Sequence, residues 1–234
     1  MKRLFVCVLG LAAATHSFAA DLRLPVKAAP PVQAAVPSWA GPYLGAHAGY
    51  LSAGGEMTFP GSGEFHLIDP KGFAGGVLVG FNVQRGHLVA GFEGDFGYVG
   101  AKETIDTGFA PDPAATQMES RITWNGHLRG RLGYATNQAL FFVAGGLAVA
   151  GVENKAIDNT AGATARWNDT RAGWTLGAGV DFLAAPKVTV RLEYLYDNYG
   201  AETQPAQSVG GVVFAEREHK LETHTLRAGV NWRF

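Results

Sequence analysis

Apolar side chains recur at every second position over much of residues 43–234, and this period of two restricts the fold more than any other feature. Alternate residues of a β-strand point to opposite faces of a sheet, whereas a helical apolar face repeats every 3.6 residues. No segment keeps a helical period over three turns. Eight segments keep the strand period, approximately 42–52, 72–84, 87–100, 120–135, 138–151, 170–183, 188–199 and 220–234. The sequence therefore predicts an all-β chain.

The two faces of these segments differ in a way that separates a soluble sandwich from a membrane barrel. The polar face of a sandwich meets bulk water, but here the polar face mixes Gly with Arg, Glu and Asp, as a narrow lumen requires. The apolar face carries almost no charge, and a Lys or Arg at the bilayer midplane would cost ~2–4 kcal/mol. We therefore predict an eight-stranded antiparallel up-and-down transmembrane β-barrel. Segment 120–135 shows the pattern, with Ile122, Trp124, Leu128, Leu132 and Tyr134 alternating with Arg121, Thr123, Asn125, His127, Arg129 and Arg131.

Connection lengths predict the orientation of the barrel. The connections near 85–87, 136–138 and 184–187 are short and should be periplasmic, whereas those near 53–71, 101–119, 152–169 and 200–219 are long and should face outside. Aromatic residues should form two girdles at the membrane surfaces. The periplasmic girdle is predicted from Phe81, Tyr134, Phe141, Phe182 and Trp232, and the outer girdle from Tyr50, Tyr98, Trp124, Trp174 and Tyr196. The facing of the fifth segment stays open, because Phe141 and Phe142 are adjacent.

Charged residues on the polar faces form the strongest candidate site. Unpaired charges inside a membrane barrel are costly, so these residues should pair with each other across the lumen. One interpretation is a salt-bridge network that fills a plugged barrel; the other is a gate or narrow ion path through the pairs. An eight-stranded barrel is just wide enough to be filled by its own side chains, which disfavours a general diffusion pore. The predicted lumen residues are Glu93, Asp95, Arg129, Arg131, Asp181, Arg191, Glu193 and Arg227.

The N-terminal residues are typical of export. Lys2 and Arg3 precede a short apolar run, and Ser17-Phe18-Ala19 provides small residues for signal-peptidase cleavage before Ala20. We therefore predict a signal peptide over 1–19, a Pro/Ala-rich periplasmic segment over 20–40 and a barrel over 41–234. Cys7 is the chain's one cysteine and lies in the signal peptide, so no disulfide or Cys-metal site is expected in the exported protein.

Composition and motifs argue against several function classes. The 19 basic and 20 acidic residues are balanced, so no basic field points to nucleic acid. The scarce serines carry no nucleophile signature, and the sequence contains neither a phosphate-binding loop nor a dinucleotide fingerprint. We expect a protein that is not an enzyme and has no cofactor and no metal.

Several stretches resemble alphaproteobacterial outer-membrane surface proteins of the OmpA-like β-barrel superfamily. The resemblance rests on the ending Ala228–Phe234 and on Trp39–Gly45, Phe92–Gly97, Gly173–Phe182 and Arg191–Tyr196. It implies location in the cell outer membrane, contact with its lipids and lipopolysaccharide, and recognition of Val230, Trp232 and Phe234 by the barrel assembly machinery.

Two classes of function remain open at this point. One is a structural envelope protein, expected to be monomeric, that supports envelope integrity and cell-surface display. The other is a surface binding module whose outer loops contact a host surface factor or hemin; a narrow porin-like channel is a further alternative. On the family resemblance, His66 and His219 in the outer loops are possible loop ligands for hemin or a metal.

Overall fold

A computed structural model describes residues 37–59, 61, 63–107 and 115–234, with 64 and 65 described by their backbone alone. The predicted signal peptide and residues 20–36 of the predicted periplasmic segment lie outside the described residues. No described helix is long and apolar enough to cross a membrane. The strands are β1 (Gly41–Phe59), β2 (Glu64–Ile68), β3 (Lys71–Arg85), β4 (Leu88–Asp106), β5 (Thr116–Ala135), β6 (Ala139–Asp158), β7 (Ala163–Ala185), β8 (Val188–Gln204), β9 (Gln207–Val209), β10 (Val212–Phe214) and β11 (Arg217–Arg233).

Eight long strands form one closed antiparallel sheet, in the order β1, β3, β4, β5, β6, β7, β8, β11. The ring closes because β11 pairs with β1 in a register that runs from Tyr43↔Arg233 to Thr58↔Glu218. β2 pairs with the outer end of β1, and β9 and β10 form a separate hairpin. Closure satisfies the backbone groups that lipid cannot satisfy. The predicted eight-stranded antiparallel up-and-down barrel is confirmed.

The three predicted short connections are tight turns between neighbouring long strands. β3 ends at Arg85 and β4 begins at Leu88, with Gly86 at a φ of 61°. Positive φ carries no steric penalty for glycine, which explains this residue at the turn. The connections from β5 to β6 and from β7 to β8 are comparably short. These turns therefore lie at one end of the barrel, together with Gly41 and Phe234, where the β1–β11 pairing begins.

An outward-facing apolar belt surrounds the half of the barrel nearest these turns. Phe92 and Leu128 are each 60% exposed, and the predicted girdle residues also point outward. We call this belt, between the two aromatic girdles, the membrane band. The ambiguity at Phe141 and Phe142 is resolved, because Phe141 is 53% exposed on the lipid side and Phe142 is buried inside.

Beyond the outer girdle the pattern inverts, and this corrects the predicted strand ends. Ser52, Glu56 and Lys102 now point outward, while apolar residues point inward. The segments predicted as long outer loops are therefore largely strand, extending the barrel wall into water. The prediction ended each strand where the lipid-facing pattern ended, although a water-surrounded barrel needs an apolar interior. This outer core contains Leu51, Ala53, Val99, Ala101, Ile122, Ala148, Ala150, Val152, Tyr199 and Leu221.

The predicted facing of Ile122 and Arg121 is wrong because of an irregularity in β5, at which Thr123 lies. The registers of β5 with β4 and with β6 both shift close to Ile122, as at a β-bulge. An extra residue in one strand exchanges the faces on either side of it. Ile122 is therefore 1% exposed inside the barrel, although Trp124 faces outward. Arg121 points outward and donates a hydrogen bond to Tyr98 Oη.

Candidate functional site in the barrel lumen

All eight predicted lumen residues lie inside the barrel at the level of the membrane band. They come from five strands, and none is more than 8% exposed. The period of two places them there, because each alternates with a lipid-facing apolar residue on its own strand. Hairpin pairing then sets Glu93 opposite Arg129 and Asp181 opposite Arg191. We call these eight side chains the lumen network.

Arg129 is the centre of the lumen network. Its Nη1 donates to Glu193 Oε1 at 2.6 Å, and its Nη2 donates to Glu93 Oε1 at 2.5 Å and to Asp95 Oδ2 at 3.1 Å. Arg227 closes the same side of the lumen by donating to Glu193 Oε2 at 2.9 Å and to Asp95 Oδ2 at 3.1 Å. Two guanidinium groups are therefore held by three carboxylates.

A second group lies nearer the end of the barrel that carries the short turns. Arg191 binds Asp181 with two parallel hydrogen bonds, Nε to Oδ1 at 2.6 Å and Nη2 to Oδ2 at 3.1 Å, the strong geometry for an arginine–carboxylate pair. Arg131 donates to the same carboxylate at 2.8 Å. Arg191 Nη1 also reaches Glu93 Oε2 at 2.5 Å, which joins this group to the first. The lumen network is therefore one continuous cluster.

Tyr43 and Phe142 also belong to this cluster, although neither was predicted as a lumen residue. The Tyr43 hydroxyl donates to Glu93 at 2.7 Å and accepts from Arg131 at 2.9 Å. The Phe142 ring lies 4.0 Å from the Arg131 guanidinium carbon, a cation–π distance. In the period of two, Tyr43 and Phe142 occupy positions of β1 and β6 that face the lumen, and this was the signal available in the sequence. Aromatic residues are, however, not an expected lining for a polar lumen.

His127 connects the lumen network to Asp197. Its Nδ1 lies 2.7 Å from Asp95 Oδ1, and its Nε2 lies 3.3 Å from Asp197 Oδ1, although the second contact is not aligned as a hydrogen bond. With Asp197 included, the cluster has five carboxylates and four guanidinium groups. Its charge therefore balances when His127 is a cation. A cavity of about 10 Å³ adjoins His127 and Arg227, enough for about one water.

Trp39, which is 2% exposed, closes the lumen at the end of the barrel that carries the short turns. Trp39 packs with Val89, Ala135 and Leu140, and its backbone oxygen accepts a hydrogen bond from Asn82 Nδ2 at 3.2 Å. The guanidinium of Arg233 lies 4.8 Å from its ring. Side chains therefore close the lumen below the lumen network, and the outer core lies above it.

The possible loop ligands His66 and His219 lie in strands rather than in loops. His66 is on β2 and His219 on β11, and each pairs in register with Met57 of the intervening β1. Neighbouring strands are about 4.8 Å apart, so the two histidines are separated by two strand spacings. The structure does not bring them into contact. Among the described residues, no cluster of three or more His, Cys, Asp or Glu side chains could hold a metal ion.

His219 lies in a basic environment above the membrane band. It is fully buried, its Nδ1 lies 3.3 Å from Arg171 Nη2, and its backbone oxygen accepts from Arg171 Nη1 at 2.8 Å. Burial, with Arg171 and Arg217 nearby, lowers the pKa of His219 to about 3. Arg217 stacks on Trp167 at 3.8 Å and donates to Gln204 Oε1 at 3.0 Å. His219 is therefore a neutral residue of the part of the barrel above the membrane band, which we call the outer wall.

One group of ion pairs above the membrane band is centred on Glu119. Glu119 on β5 accepts from Lys102 and from Lys155, each at 2.8 Å, and these hydrogen bonds lower its pKa. The Lys102–Glu119 pair, whose lysine side chain is 52% exposed, contributes little to stability. They help to keep the outward surface above the membrane band polar.

The C-terminal residues lie on the outside of the closing strand. Val230, Trp232 and Phe234 are 52%, 51% and 69% exposed on one face, and the backbone N–H of Phe234 donates to Pro42 O at 3.2 Å. The predicted assembly signal is thus a row of three exposed apolar side chains at the β1–β11 seam.

Comparison with known proteins places these features in a family. The family described as "Outer membrane protein beta-barrel domain" matches residues 5–234 of the chain. The chain is 33% identical over 253 residues to the 31 kDa outer-membrane immunogenic protein of Brucella melitensis, covering 100% of both chains. It is 30% identical over 224 residues to the 25 kDa outer-membrane immunogenic protein of Brucella abortus, covering 93% of this chain and 91% of that one. Among solved structures, the outer membrane protein OprG of Pseudomonas aeruginosa is similar with a TM-score of 0.47 and 8% identity, covering 85% of this chain and 100% of that chain.

Proposed function

The chain belongs to the family of outer membrane protein β-barrel domains, and from this premise we propose that it is a structural protein of the outer membrane. In this proposal its sealed barrel contributes to envelope integrity and carries a rigid polar extension to the cell surface. The observation that supports the proposal most strongly is the lumen network. It joins strands from opposite sides of the barrel by buried ion pairs at 2.5–3.1 Å.

Buried ion pairs suit a sealing role better than a transport role. A buried ion pair adds little net stability over an apolar core, but removing one partner costs about 3–5 kcal/mol because it strands the other charge. An ion that crossed the lumen would have to displace several such pairs in turn. We therefore place the narrow-channel alternative below the structural role. The proposal gives the protein no catalytic role, cofactor or metal.

The expected partners follow from the same proposal. Outer-membrane lipids and lipopolysaccharide contact the membrane band, and the barrel assembly machinery recognises Val230, Trp232 and Phe234 during biogenesis. A monomer satisfies its own sheet edges within the membrane band, because β11 pairs with β1 along the seam.

The envelope role can be tested in a strain that lacks the protein. We expect greater entry of a large hydrophilic antibiotic and of detergent, and complete rescue by the intact protein. A trimmed variant, in which each hairpin is closed by a short turn just above the outer girdle, should rescue as well, because it retains the membrane band. Unchanged permeability in the deletion strain would contradict the envelope role.

A second candidate, a surface binding module, is supported by a stretch of β7 that lacks a strand partner on one side. Pairing of β7 with β8 ends at Trp174↔Asn198, whereas β7 continues outward to Ala163 on its other partner, β6. Residues 163–173 therefore have one edge without a strand partner in the described part of the chain. The Gln207 side chain donates to Arg166 O at 3.1 Å on this stretch, and Phe214 packs in one cluster with Trp167. The remaining backbone groups of such an edge can accept an extended polypeptide by strand addition. A host surface factor that presents such a segment fits this edge better than hemin fits the buried His219.

The trimmed variant also separates the two candidates. If the binding role is correct, the intact protein should retain a host-surface ligand in a pull-down and the trimmed variant should not. If the trimmed variant restores the permeability barrier but does not bind the ligand, the two roles belong to different parts of the barrel. Equal binding by both proteins would contradict the binding role of the outer wall.

A further inference from the structure

The lipid-facing surface carries a depression that the structural role does not use. Two adjoining hollows, of about 440 Å³ and about 390 Å³, share Ala90 and Leu132 and so form one continuous groove. Both hollows are shallow and open toward the lipid rather than enclosed. We call this groove the lipid-facing cleft. It is lined from the periplasmic turn upward by Val83, Arg85, Leu88, Ala90, Leu132, Gly130, Gly145 and Leu176, among others.

Two glycines form the floor of the cleft at its upper end. Gly130 and Gly145 pair in register on β5 and β6, and their neighbours in sequence face the lumen. Neither has a positive φ. A Cβ at Gly130 would meet nothing closer than Gly145 O at 4.0 Å, and one at Gly145 nothing closer than Thr175 O at 3.4 Å. Barrel packing therefore does not require glycine there, and glycine within a strand is found at bulges, at bends and where a ligand or another backbone approaches closely.

The lower end of the cleft carries a positive charge. Arg85 is exposed at the β3–β4 turn and pairs in backbone register with Leu88, whose side chain is 67% exposed. No described acidic side chain forms an ion pair with Arg85. Arginine at this depth suits the phosphate of a lipid headgroup, since a guanidinium can donate two parallel hydrogen bonds to phosphate oxygens.

The length of the cleft matches one leaflet. Leu88 is level with Arg85, and Phe92, four residues further along β4, is level with Gly130 and Gly145. Four residues extend about 13 Å along the strand, which a tilt of about 40° reduces to roughly 10 Å along the bilayer normal. This is somewhat less than half of the ~25 Å apolar band of an outer-membrane barrel. The cleft therefore runs from the periplasmic interface toward the middle of the bilayer.

We propose that the lipid-facing cleft binds one phospholipid of the periplasmic leaflet. The phosphate lies against the Arg85 guanidinium, and one acyl chain passes Leu88 and Ala90 and ends over Gly130 and Gly145. The combination of a cation at the interface, an apolar groove of one leaflet's length and two open glycines favours a lipid over another barrel. This inference goes beyond the proposed function, and the cleft would bind lipid whether or not the lumen is sealed.

Photo-crosslinking in proteoliposomes tests this site. The vesicles would contain phosphatidylethanolamine, phosphatidylglycerol and a trace of phosphatidylglycerol with a diazirine midway along one acyl chain. We expect labelled peptides to map mainly to β4, β5 and β6, with about tenfold less label on β1 and β11, equivalent to ~1.4 kcal/mol. Gly130→Leu fills the cleft and should abolish this preference, whereas Ala48→Leu, which adds the same side chain on lipid-facing β1, should preserve it.

The headgroup contact has its own matched pair of variants. Arg85→Gln should reduce cleft labelling, and Lys187→Gln, which removes an exposed cation from the β7–β8 turn, should not. Arg85 lies at an exposed turn, so this pair still decides the question if Gly130→Leu fails to fold. Equal labelling of all strands would show non-specific lipid contact and overturn the proposal. Loss of the cleft label alone when more protein is placed in each vesicle would overturn it in favour of a contact between two copies of the chain.

Discussion

Arg129 shows how a single residue depends on the rest of the lumen network. Its guanidinium contacts carboxylates from β4 and β8 at 2.5–3.1 Å, and its side chain is fully buried. Its Nε has no hydrogen-bond partner among the described groups, so the contribution of Arg129 comes through its two terminal nitrogens. The carboxylates of Glu93, Asp95 and Glu193 converge on those nitrogens and repel one another. The positive charges of Arg129, Arg191 and Arg227 offset this repulsion.

Replacement of Arg129 should therefore destabilise the whole barrel. We expect Arg129→Ala to lower the free energy of unfolding by about 3–5 kcal/mol, because it leaves buried carboxylates without their partner. Thermal unfolding in detergent, followed by circular dichroism, measures the change. Arg166→Ala, which removes an exposed arginine of β7, is the matched control and should unfold close to the wild type. Equal stability of the two variants would contradict the energetic role assigned to the lumen network.

His219 predicts a pH dependence of the outer wall. Its ordinary pKa of 6.5 falls to about 3 in the folded protein, so the unfolded chain binds the proton more readily between these values. The contribution of His219 to stability is therefore fully present above pH 6.5 and is lost as the pH falls toward about 3. The loss is at most ~1.4 kcal/mol for each pH unit.

Unfolding midpoints at pH 7 and pH 4 measure this contribution. The decrease on acidification should be smaller in His219→Gln than in the wild type, because glutamine does not titrate. His66→Gln on β2 is the control and should keep the wild-type decrease. If His219→Gln and the wild type lose the same stability, the titration of His219 does not contribute.

Sequence alone identified the charged lumen residues, since Glu93, Arg129 and Arg191 each alternate with residues suited to lipid. It could not identify Tyr43, because an aromatic residue facing a polar lumen breaks the pattern that locates the others. Arg171 and Arg217 were missed as buried residues for a different reason. Both lie above the membrane band, where charge is expected on the outer surface and where only the folded wall shows that they point inward.

At the scale of the strand, the membrane-crossing parts were predictable and the outer ends were not. The fifth predicted segment ends at 151, which agrees with the outer limit of the membrane band. The corresponding strand, β6, continues to Asp158. Beyond that point inward and outward residues still alternate with a period of two. The outward residues are now polar and the inward residues apolar, because water replaces lipid around the barrel. The bulge near Ile122 adds a change of face that no local turn residue marks.

Strand pairing predicts different backbone protection for β6 and β7 above the membrane band. β6 has a strand partner on both sides out to Asp158, whereas residues 163–173 of β7 have one on a single side. The Arg166 backbone oxygen instead accepts from the Gln207 side chain at 3.1 Å.

Hydrogen exchange in detergent should detect this difference. Alternate amides within 164–172 of β7 should exchange at least about tenfold faster than those within 150–158 of β6, since unpaired backbone groups open at little cost. The membrane-band amides of β7, from 175 to 182, serve as an internal control and should stay protected. Uniform protection along β7 would show that its outer edge is covered in solution.

At the scale of the whole molecule, closure of the ring depends on β11 as the last strand. Its pairing with β1 brings the two chain ends of the barrel together and leaves Val230, Trp232 and Phe234 exposed as one apolar row. A row at the seam is available to a partner while the ring is still open. This position is the structural support for its proposed role as an assembly signal.

We expect Phe234→Ala to reduce the amount of folded protein in the outer membrane while leaving the purified barrel's unfolding midpoint little changed. Heat-modifiable migration after membrane fractionation measures the folded amount. Phe73→Ala removes a 79% exposed phenylalanine from β3 and should assemble normally. Similar losses in both variants would indicate a general need for apolar surface rather than a signal at the C-terminus.

The central claim is that side chains seal the barrel, and single-channel recording in a planar bilayer tests it most directly. The unmutated protein, inserted in its folded and heat-modifiable form, should show no stable conductance steps at moderate voltage, because the lumen network and Trp39 fill the path. Large, stable conductance steps from the same preparation would contradict the sealed lumen and favour the channel alternative.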